Sequence, residues 1–464
     1  MPKVLARPAK QSPAGFSCTQ EELRDVARIV LEAARRNGAQ GCDCDVSEGY
    51  GLTVTVRKGE PDVIEHNRDR SVGVSVYLGE RPRVRRGHAS SSDFSRAALE
   101  QTVAAAAAIA RFTAEDNCAG LPDAELLARD LPDLDLFHPW RLGTEEAIEI
   151  TRRCEAAAFA TSKKIRNSEG ATVSAQHNQF VFANSLGFIG GHAGSRHYLA
   201  CSMIAEEKGL MQRDDWFSAS RVPGEIADPE ALGRYAAQRA VARLGARKIA
   251  TTRAPVLFEA PVAIGLLGHF LSAVNGGNLY RKTSFLVDSL GKQVFPDWMR
   301  IDERPLVPRA SSSSPFDEEG VATRERAVVE GGVVQGYFLG SYSARKLGLA
   351  TTANAGGVHN LQVASNAGRF GELVRGMGRG LLVTELMGQG VNTVTGDYSR
   401  GAAGFAIEDG EIAYPVDGIT IAGNLRDMFG AIEAVGSEVD PRSHIRTGPI
   451  LVGAMTVAGS DVAG

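Results

Sequence analysis

Cysteine is scarce in this chain of 464 residues, and none occurs after Cys201. Only Cys42 and Cys44 lie close together among the six cysteines, and no second pair follows at the spacing that a zinc ribbon needs. Scattered cysteines of this kind are typical of reduced thiols in a cytosolic protein rather than of a disulfide framework. The sequence therefore predicts a cytoplasmic protein with reduced, buried thiols.

An excess of charge and a long apolar run are also missing. The net charge of −4 and the isoelectric point near 6.2 give no electrostatic footprint for nucleic acid or for an anionic membrane. The longest apolar run, Ala104–Ala110, is too short to cross a bilayer. The N-terminus lacks the apolar segment of a signal peptide, and we expect residues 1–18 to form a disordered tail. Neither nucleic acid nor a membrane is an expected partner.

Complete catalytic motifs are absent as well. No His-Glu dipeptide is followed by a second histidine, as a zincin helix requires, and no glycine cluster carries the Lys-Ser/Thr of a P-loop. No G-x-S-x-G nucleophile elbow occurs. His192 and His197 are five residues apart on a predicted strand, which puts them on opposite faces. The sequence therefore predicts no catalytic residue and no metal ligand in this chain.

The most informative stretch that the chain does contain is Pro261–Ser284. Leu267, Leu271 and Val274 recur at helical spacing, and Asn275-Gly276-Gly277 predicts the end of the helix. His269 lies within this apolar, glycine-flanked helix. We interpret it as a packed structural histidine, because zinc needs three or four ligands and no second ligand is apparent nearby.

The order of helical and strand patterns predicts an α+β protein. We expect an N-terminal α+β domain at 19–116, a proline-containing linker at 117–143 and a middle domain of helices and a β-meander at 144–250. A β-rich domain at 251–464 follows, with a curved or barrel-like sheet.

Several local expectations are specific enough to check. A capping box at Thr19 and Glu22 predicts the start of the first helix. Ser92 or Asp93 is expected to cap the next helix and Thr144 the third. Turn signals predict a break at Asn178 within a meander over 165–194, and Asp409-Gly410 predicts a hairpin. A short helix is expected over Leu425–Val435.

Five longer motifs carry a family resemblance. They are GLLGHFLSAVNGGNLYRKT at 265–283, PRASSSSPFDEEGVAT at 308–323, YSARKLGLATTANAGG at 342–357, VTGDYSRGAAGF at 394–405 and QRDDWF at 212–217. Together they resemble the PmbA/TldE branch of the TldD/PmbA family, from about residue 20 to about residue 460.

The resemblance implies a subunit of a heterodimeric metallopeptidase. In this family a TldD-type partner carries a His-Glu-x-x-x-His zinc motif and a further cysteine, and the dimer encloses a chamber for unfolded or leader peptides. Here the corresponding helix, Val262–Val274, has one histidine and no acid, and the cysteine position reads Arg446-Thr447-Gly448-Pro449. The resemblance thus implies zinc in the partner and no cofactor in this chain, which would shape the substrate chamber.

Residues within the family motifs are our candidates for the chamber or the partner surface. They are His269, Asn275, Arg281, Lys282, Arg345, Lys346 and Asn354. Two alternatives stay open: an independent metallopeptidase whose noncanonical site joins His269, His359 or Asp317/Glu318, and a scaffold or regulator that binds a small protein without hydrolysis. The sequence also leaves a homodimer open, because the two branches share a fold and a dimer surface could pair with itself.

Overall fold

The computed structural model describes residues 15–459. Its first sheet has six antiparallel strands in the spatial order β3-β2-β1-β4-β5-β6. The strands are β1 Gly41–Arg57, β2 Glu60–Leu78, β3 Arg85–Ser91, β4 Ile165–Asn184, β5 Ile189–Glu207 and β6 Leu210–Ser220. One continuous sheet therefore spans the segments predicted as the N-terminal and middle domains, and β3 and β6 are its two edges.

Four helices cover one face of this sheet. They are α1 Gln20–Arg36, α2 Arg96–Phe112, α3 Thr144–Thr161 and α4 Pro229–Ala242. Even-numbered apolar residues of β1 face them: Cys44 and Val46 pack in the cluster with α1 and α2, and Val54 in the cluster with α3 and α4. Alternation along the strand sends the odd-numbered polar residues of β1 to the opposite face.

The caps of these helices only partly follow the predictions. The capping box of α1 is confirmed, since Thr19 accepts from Glu22 and Glu22 accepts from Thr19. The predicted cap of α2 is wrong: Ser95 caps it, and Asp93 instead accepts from the Ser95 amide in a local turn. Thr144 is the first residue of α3 rather than its cap, and Gly143 holds the cap position without a side-chain bond.

The predicted turn at Asn178 is also wrong. β4 runs unbroken for 20 residues, and Asn178 pairs with Gly49 on one side and Gly194 on the other. Ladder pairing on both edges of a strand outweighs the turn preference of a single asparagine. The expected meander is therefore one long hairpin of β4 and β5.

The third part of the chain, residues 251–459, contains a closed ring of strands. Neighbours pair in the order β14-β13-β12-β7-β17, and β14 pairs with β17 to close the ring, while β15 extends β17. These strands are β7 Thr252–Phe258, β12 Gly380–Met387, β13 Asp397–Glu408, β14 Glu411–Asn424, β15 Ile432–Val435 and β17 Ile450–Ala458. The α+β class and the barrel-like C-terminal sheet are confirmed, as is the Asp409-Gly410 hairpin between β13 and β14.

A separate five-stranded sheet of short strands and five helices complete this part. The sheet has the order β10-β9-β8-β11-β16, with β8 Ile301–Glu303, β9 Arg326–Glu330, β10 Val333–Val334, β11 Leu361–Val363 and β16 Ile445–Arg446. The helices are α5 Ala260–Ala273, α6 Gly276–Tyr280, α7 Ser341–Leu347, α8 Phe370–Met377 and α9 Leu425–Gly430. None of the helices within residues 15–459 is both long and apolar enough to cross a membrane.

Two helix boundaries differ from the predictions. Asn275 was predicted only to mark the end of α5. Its side chain also accepts a hydrogen bond from the Gly277 amide and so caps the next helix, α6. The helix expected over Leu425–Val435 ends at Gly430, and the apolar residues after it pair with β17 as β15. Short apolar runs do not distinguish a helix from a strand by periodicity alone.

The expected N-terminal tail lies mostly outside the described residues. At its end, Phe16 is buried and its ring lies 4.9 Å from Tyr50 and 5.7 Å from Phe137. The amides of Ser17 and Cys18 donate to the Glu48 carboxylate. Residues 15–18 are therefore packed against the first sheet, and the disorder predicted for them is wrong. The division of the chain into domains stays a prediction.

Candidate functional site

A cleft of about 890 Å³ lies where the first sheet meets the third part of the chain. One wall is formed by the last five residues of β6 and the residue that follows them, Trp216–Arg221. The other walls are the start of α5 and the two loops 308–311 and 438–442. The cleft therefore combines an edge strand, a helix N-terminus and two loops that come from distant parts of the sequence.

The edge strand β6 pairs with β5 on one side only. The carbonyl of Phe217 accepts from the Arg442 guanidinium at 2.8 Å, on the side away from β5. Alternate residues of an antiparallel strand direct their backbone groups to the same edge, so Ala219 presents its N–H and C=O to the cleft as well. No strand among residues 15–459 pairs with this outer edge.

A threonine pair deeper in the sheet supports the assignment of outward-facing backbone groups to Phe217 and Ala219. The hydroxyls of Thr55 and Thr172 lie 2.9 Å apart, as expected for a pair without mutual backbone bonds, whose side chains approach closely. By alternation, Thr172 then directs its backbone groups toward Ala200 of β5, and those of Ala200 point toward β4 and away from Phe217. Apart from the Phe217 carbonyl, which already accepts from Arg442, the outer edge of β6 at Phe217 and Ala219 is therefore open for hydrogen bonding.

Arg442 holds the loop 438–442 against this strand. Its guanidinium carbon lies 4.2 Å from the ring centre of Trp216 and 4.1 Å from that of Phe217. Asp440 accepts two bonds from the same guanidinium, at 2.8 and 2.6 Å. A bidentate pair of this kind fixes geometry as well as charge, so the aromatic wall of the cleft is preformed.

A buried ionic network fixes the other side of the cleft. Arg239 of α4 donates to both oxygens of Glu259, the residue before α5, at 2.8 and 3.1 Å, and to Asp214 of β6 at 3.2 Å. Arg243, one turn later, bonds to Glu385 of β12. The network thus ties the edge strand to α5 and to the ring of strands, which sets the width of the cleft.

The seven candidate residues lie outside the cleft, and five of them lie on or beside the neighbouring helices α6 and α7, whose Tyr280 and Tyr342 rings are 5.8 Å apart. Asn275 caps α6, and Arg281 and Lys282 follow that helix on the surface. Arg345 donates to the carbonyls of Cys118, Gly120 and Leu121, Lys346 pairs with Asp116 at 3.1 Å, and buried Asn354 donates to Glu303. None of the seven lines the cleft.

His269 packs inside the third part of the chain. Its ring lies 5.8 Å from that of Tyr398 in an edge-to-face arrangement, and its Nε2 atom is buried without a hydrogen-bond partner in the described chain. Burial, and after it the nearby positive charge of Arg400, lower the pKa of this histidine. The positive charge of the Arg400 guanidinium beside the ring also disfavours binding of a metal cation to His269.

The residues of the alternative metal site are only partly assembled. Asp317, Glu318 and His359 line a second cavity of about 620 Å³, whereas His269 lies outside it. The Asp317 carboxylate already accepts from three backbone amides, and His359 bonds to Glu303 at 3.0 Å. Within residues 15–459 no three histidine, cysteine or acidic side chains are grouped as a metal site would require.

Two histidines that the sequence did not pair come together on the first sheet. His177 stacks on Tyr50 at 4.5 Å and its ring lies 5.4 Å from that of His197. The amide of Trp140 donates to the Nε2 atom of His177. Neighbouring strands carry the two residues, so only the β4–β5 register reveals the pair.

His177 predicts a pH dependence of stability. Burial, and then His197, lower its pKa from 6.5 to about 4. Between these values the unfolded chain binds a proton that the folded chain does not, so the free energy of unfolding falls as pH drops from about 6.5 to about 4. The loss is about 3 kcal/mol at most.

Urea titrations from pH 7 to pH 4 check this expectation. We expect the His177→Gln variant, which keeps an acceptor for the Trp140 amide, to lose less stability over this range than the wild type. His66→Gln, at an exposed position, is the matched control and should follow the wild type. Equal pH dependence in the His177→Gln variant and the wild type would show that His177 titrates normally.

Comparison with known proteins places the chain in a family. Family models of the PmbA/TldA metallopeptidases match it in three segments: domain 1 at residues 42–110, the central domain at 137–244 and the C-terminal domain at 251–459. The metalloprotease PmbA of Escherichia coli O157:H7 is 46% identical over 437 residues, which are 94% of this chain and 96% of that protein. This chain belongs to the PmbA/TldA metallopeptidase family.

Both branches of the PmbA/TldA family are related to the chain. TldE from Thermococcus kodakarensis superposes with a TM-score of 0.80 at 19% identity and covers 94% of this chain and all of that structure, which shows the shared fold. The metalloprotease TldD homolog of Haemophilus influenzae is 24% identical over 397 residues, 80% of each chain. The resemblance stated from the sequence motifs is thereby confirmed at the level of the family.

Sequence reasoning missed the side chains that line the cleft. Trp216 and Phe217 were visible in the QRDDWF motif, but their role depends on β6 being an edge strand. Arg221, Arg442 and Arg446 carried no motif at all. Arg446 precedes Thr447, which stands where the resemblance places a cysteine, and it lines the cleft.

Proposed function

We propose that this chain is the PmbA/TldE-type subunit of a heterodimeric metallopeptidase and that it holds an extended peptide in the cleft beside β6. The open outer edge of β6 carries the proposal. An extended chain can add to such an edge as a further strand, with backbone bonds for affinity and side-chain pockets for specificity. Most backbone groups of a folded protein are already paired, so the cleft favours unfolded segments such as leader peptides.

The chain's own residues have defined tasks in this proposal. Ala219 offers its N–H and C=O to the peptide backbone, and Trp216 and Phe217 supply apolar surface that Arg442 holds in place. The ionic network of Arg239 and Glu259 keeps the opposite wall at a fixed distance. Holding the peptide in one orientation is the contribution that positioning makes to hydrolysis.

Zinc does not fit the donor set of this chain. The helix that corresponds to the zinc helix carries one histidine, which lies next to the cationic Arg400. Where the resemblance places a cysteine thiolate, the chain has the buried Thr447, whose hydroxyl donates to a backbone carbonyl. A hydroxyl is a poor zinc ligand beside a thiolate. We therefore assign zinc, and the hydrolytic step, to a TldD-type partner.

The family relationship supports a role in proteolysis. Relatives are named metalloproteases, and both TldD-like and TldE-like proteins are similar to this chain over most of its length. The six cysteines are free thiols, which is consistent with a reducing compartment, and we propose that the complex acts in the cytoplasm.

Reconstitution tests the proposal. The purified chain, a TldD-type subunit and their mixture are assayed for bound zinc and for cleavage of a disordered peptide, with a folded protein as the control substrate. We expect cleavage of the disordered peptide by the mixture, zinc in the TldD-type subunit and no cleavage by this chain alone. One zinc bound tightly to this chain, together with cleavage in the absence of the partner, would establish the alternative of an independent metallopeptidase. A complex that binds peptide but never cleaves it would establish a scaffold.

A further inference from the structure

The charged residues that line the cleft are unevenly paired. Five arginines and four acidic residues face it: Arg196, Arg221, Arg309, Arg442, Arg446, Glu225, Glu259, Glu438 and Asp440. The numbers of arginines and acidic residues are nearly balanced, so the composition of the lining alone indicates no preference for ligands of one charge. The individual ion pairs decide which charges are left for a ligand.

Every acidic side chain of the cleft already has a cationic partner. Glu259 bonds to Arg239, outside the lining, at 2.8 Å, and Asp440 bonds to Arg442 at 2.6 Å. The remaining two are Glu438, 3.9 Å from Arg369 outside the lining, and Glu225, 3.9 Å from Arg309. Arg309 also pairs with Asp135 at 2.5 Å. Glu259 and Asp440 are thus in close ion pairs, as are Arg309 and Arg442, whereas Glu225 and Glu438 have only exposed contacts with an arginine at 3.9 Å.

Three arginines of the lining have no acidic partner within residues 15–459: Arg196, Arg221 and Arg446. Arg221 is held by backbone carbonyls alone, with bonds to Ala310 at 3.1 Å, Ser311 at 2.8 Å and Ser195 at 3.1 Å. The Nε atom of Arg446 is buried and has no hydrogen-bond partner in the described chain.

Two of the three cations, Arg196 and Arg221, are close enough to influence one another. Burial lowers the pKa of Arg221, and the positive charge of Arg196 lowers it further. Like charges that are partly desolvated and lack an acid cost free energy, which a bound anion recovers. The N-terminus of α5 lies at the same cleft and adds its partial positive charge, since Glu259 makes no side-chain bond to the helix amides.

We propose that this cleft binds carboxylate groups of the peptide that it holds, so that the subunit selects acidic extended peptides. The inference rests on the proposed function, because it assumes that a peptide lies along β6. Arg221 directly follows the last residue of β6, so the carboxylate site lies at the end of the added strand, beyond Ala219. The carboxylate comes either from an Asp or Glu side chain or from the peptide's C-terminus.

Binding of four fluorescent peptides to the full chain, measured by anisotropy at low salt, tests this proposal. The peptides share one extended, unfolded sequence that is either acidic or has Gln and Asn in place of the acids, and each is made with a free and with an amidated C-terminus. We expect the acidic peptide to bind at least tenfold more tightly than its neutral counterpart, and the preference to weaken as salt is added. If the acidic and the neutral peptide with free C-termini bind equally and amidation weakens the binding of both, the terminal carboxylate is the ligand.

Matched variants locate the site. Arg446→Gln and Arg196→Gln should reduce the preference for carboxylates to less than threefold, while Lys292→Gln, at an exposed position outside the cleft, should keep it. Circular dichroism and thermal melting verify that the variants are folded. Equal affinity of all four peptides for the wild-type chain would overturn the proposal and leave strand addition intact. Binding of neither peptide, by the chain or by its complex with the partner, would overturn both.

Discussion

Replacing Ala219 by proline reduces the affinity for an extended peptide at least tenfold and leaves the fold intact. Proline removes the N–H that Ala219 presents at the outer edge of β6, and its ring obstructs an incoming strand. One lost ladder bond is worth about 0.5–1.5 kcal/mol, and the steric conflict adds to it. A tenfold loss corresponds to about 1.4 kcal/mol. Within the sheet the change is tolerated, because proline is compatible with an edge strand when its nitrogen faces outward.

Ala219→Val is the matched control for this variant. Valine adds bulk similar to that of proline but keeps the N–H, and it favours the extended conformation of a strand. We expect Ala219→Val to bind within about threefold of the wild type, a difference of less than 1 kcal/mol. Isothermal titration with one disordered peptide measures both variants. If proline and valine weaken binding equally, the pocket volume and not the strand edge determines affinity.

Replacing Glu303 by alanine lowers the free energy of unfolding by about 3–5 kcal/mol, because it leaves a buried cation without its acid. Glu303 is 1% exposed and accepts from Arg326 at 2.8 Å, from Asn354 at 2.7 Å and from His359 at 3.0 Å. Burial alone would raise the pKa of Glu303, but the hydrogen bond from His359 and the charge of Arg326 lower it below its usual value. The carboxylate is therefore the centre of a fully bonded buried network.

The control for this variant is Glu325→Ala. Glu325 pairs with Arg304 at 3.5 Å on the surface, where its side chain is 58% exposed. Exposed pairs contribute about 0–1 kcal/mol, so we expect a change within that range. Guanidinium titrations of both variants and of the wild type measure the difference. Equal midpoints for Glu303→Ala and Glu325→Ala would mean that the buried network contributes no more than a surface pair.

Local signals in the sequence predicted the fold well where a few neighbouring residues determine the structure. The capping box at Thr19 and the Asp409-Gly410 hairpin are complete within four to six residues, and both occur as expected. The prediction failed where distant strands decide the outcome. Asn178 favours a turn locally, but it lies between β1 and β5 and pairs with both. The same holds after Gly430, where pairing with β17 converts an expected helix into β15.

The site was harder to predict than the fold, for a related reason. The family motifs indicated Arg345 and Asn354 as candidates, but both residues have structural roles. Arg345 donates to three carbonyls of the segment 118–121, and Asn354 belongs to the buried network of Glu303. The cleft depends on which strand is last in the sheet and on which arginine lacks an acid. Both properties follow from tertiary pairing and have no signature in the sequence around β6.

Amide hydrogen exchange with and without a bound disordered peptide tests the central claim most directly. Strand addition to β6 gives hydrogen-bond partners to the amides of Phe217 and Ala219, so their exchange should slow when the peptide binds. The other edge of the same sheet, β3, is the internal control and should exchange at an unchanged rate. A peptide that binds while the amides of β6 exchange as before, or that protects β3 instead, would contradict the account.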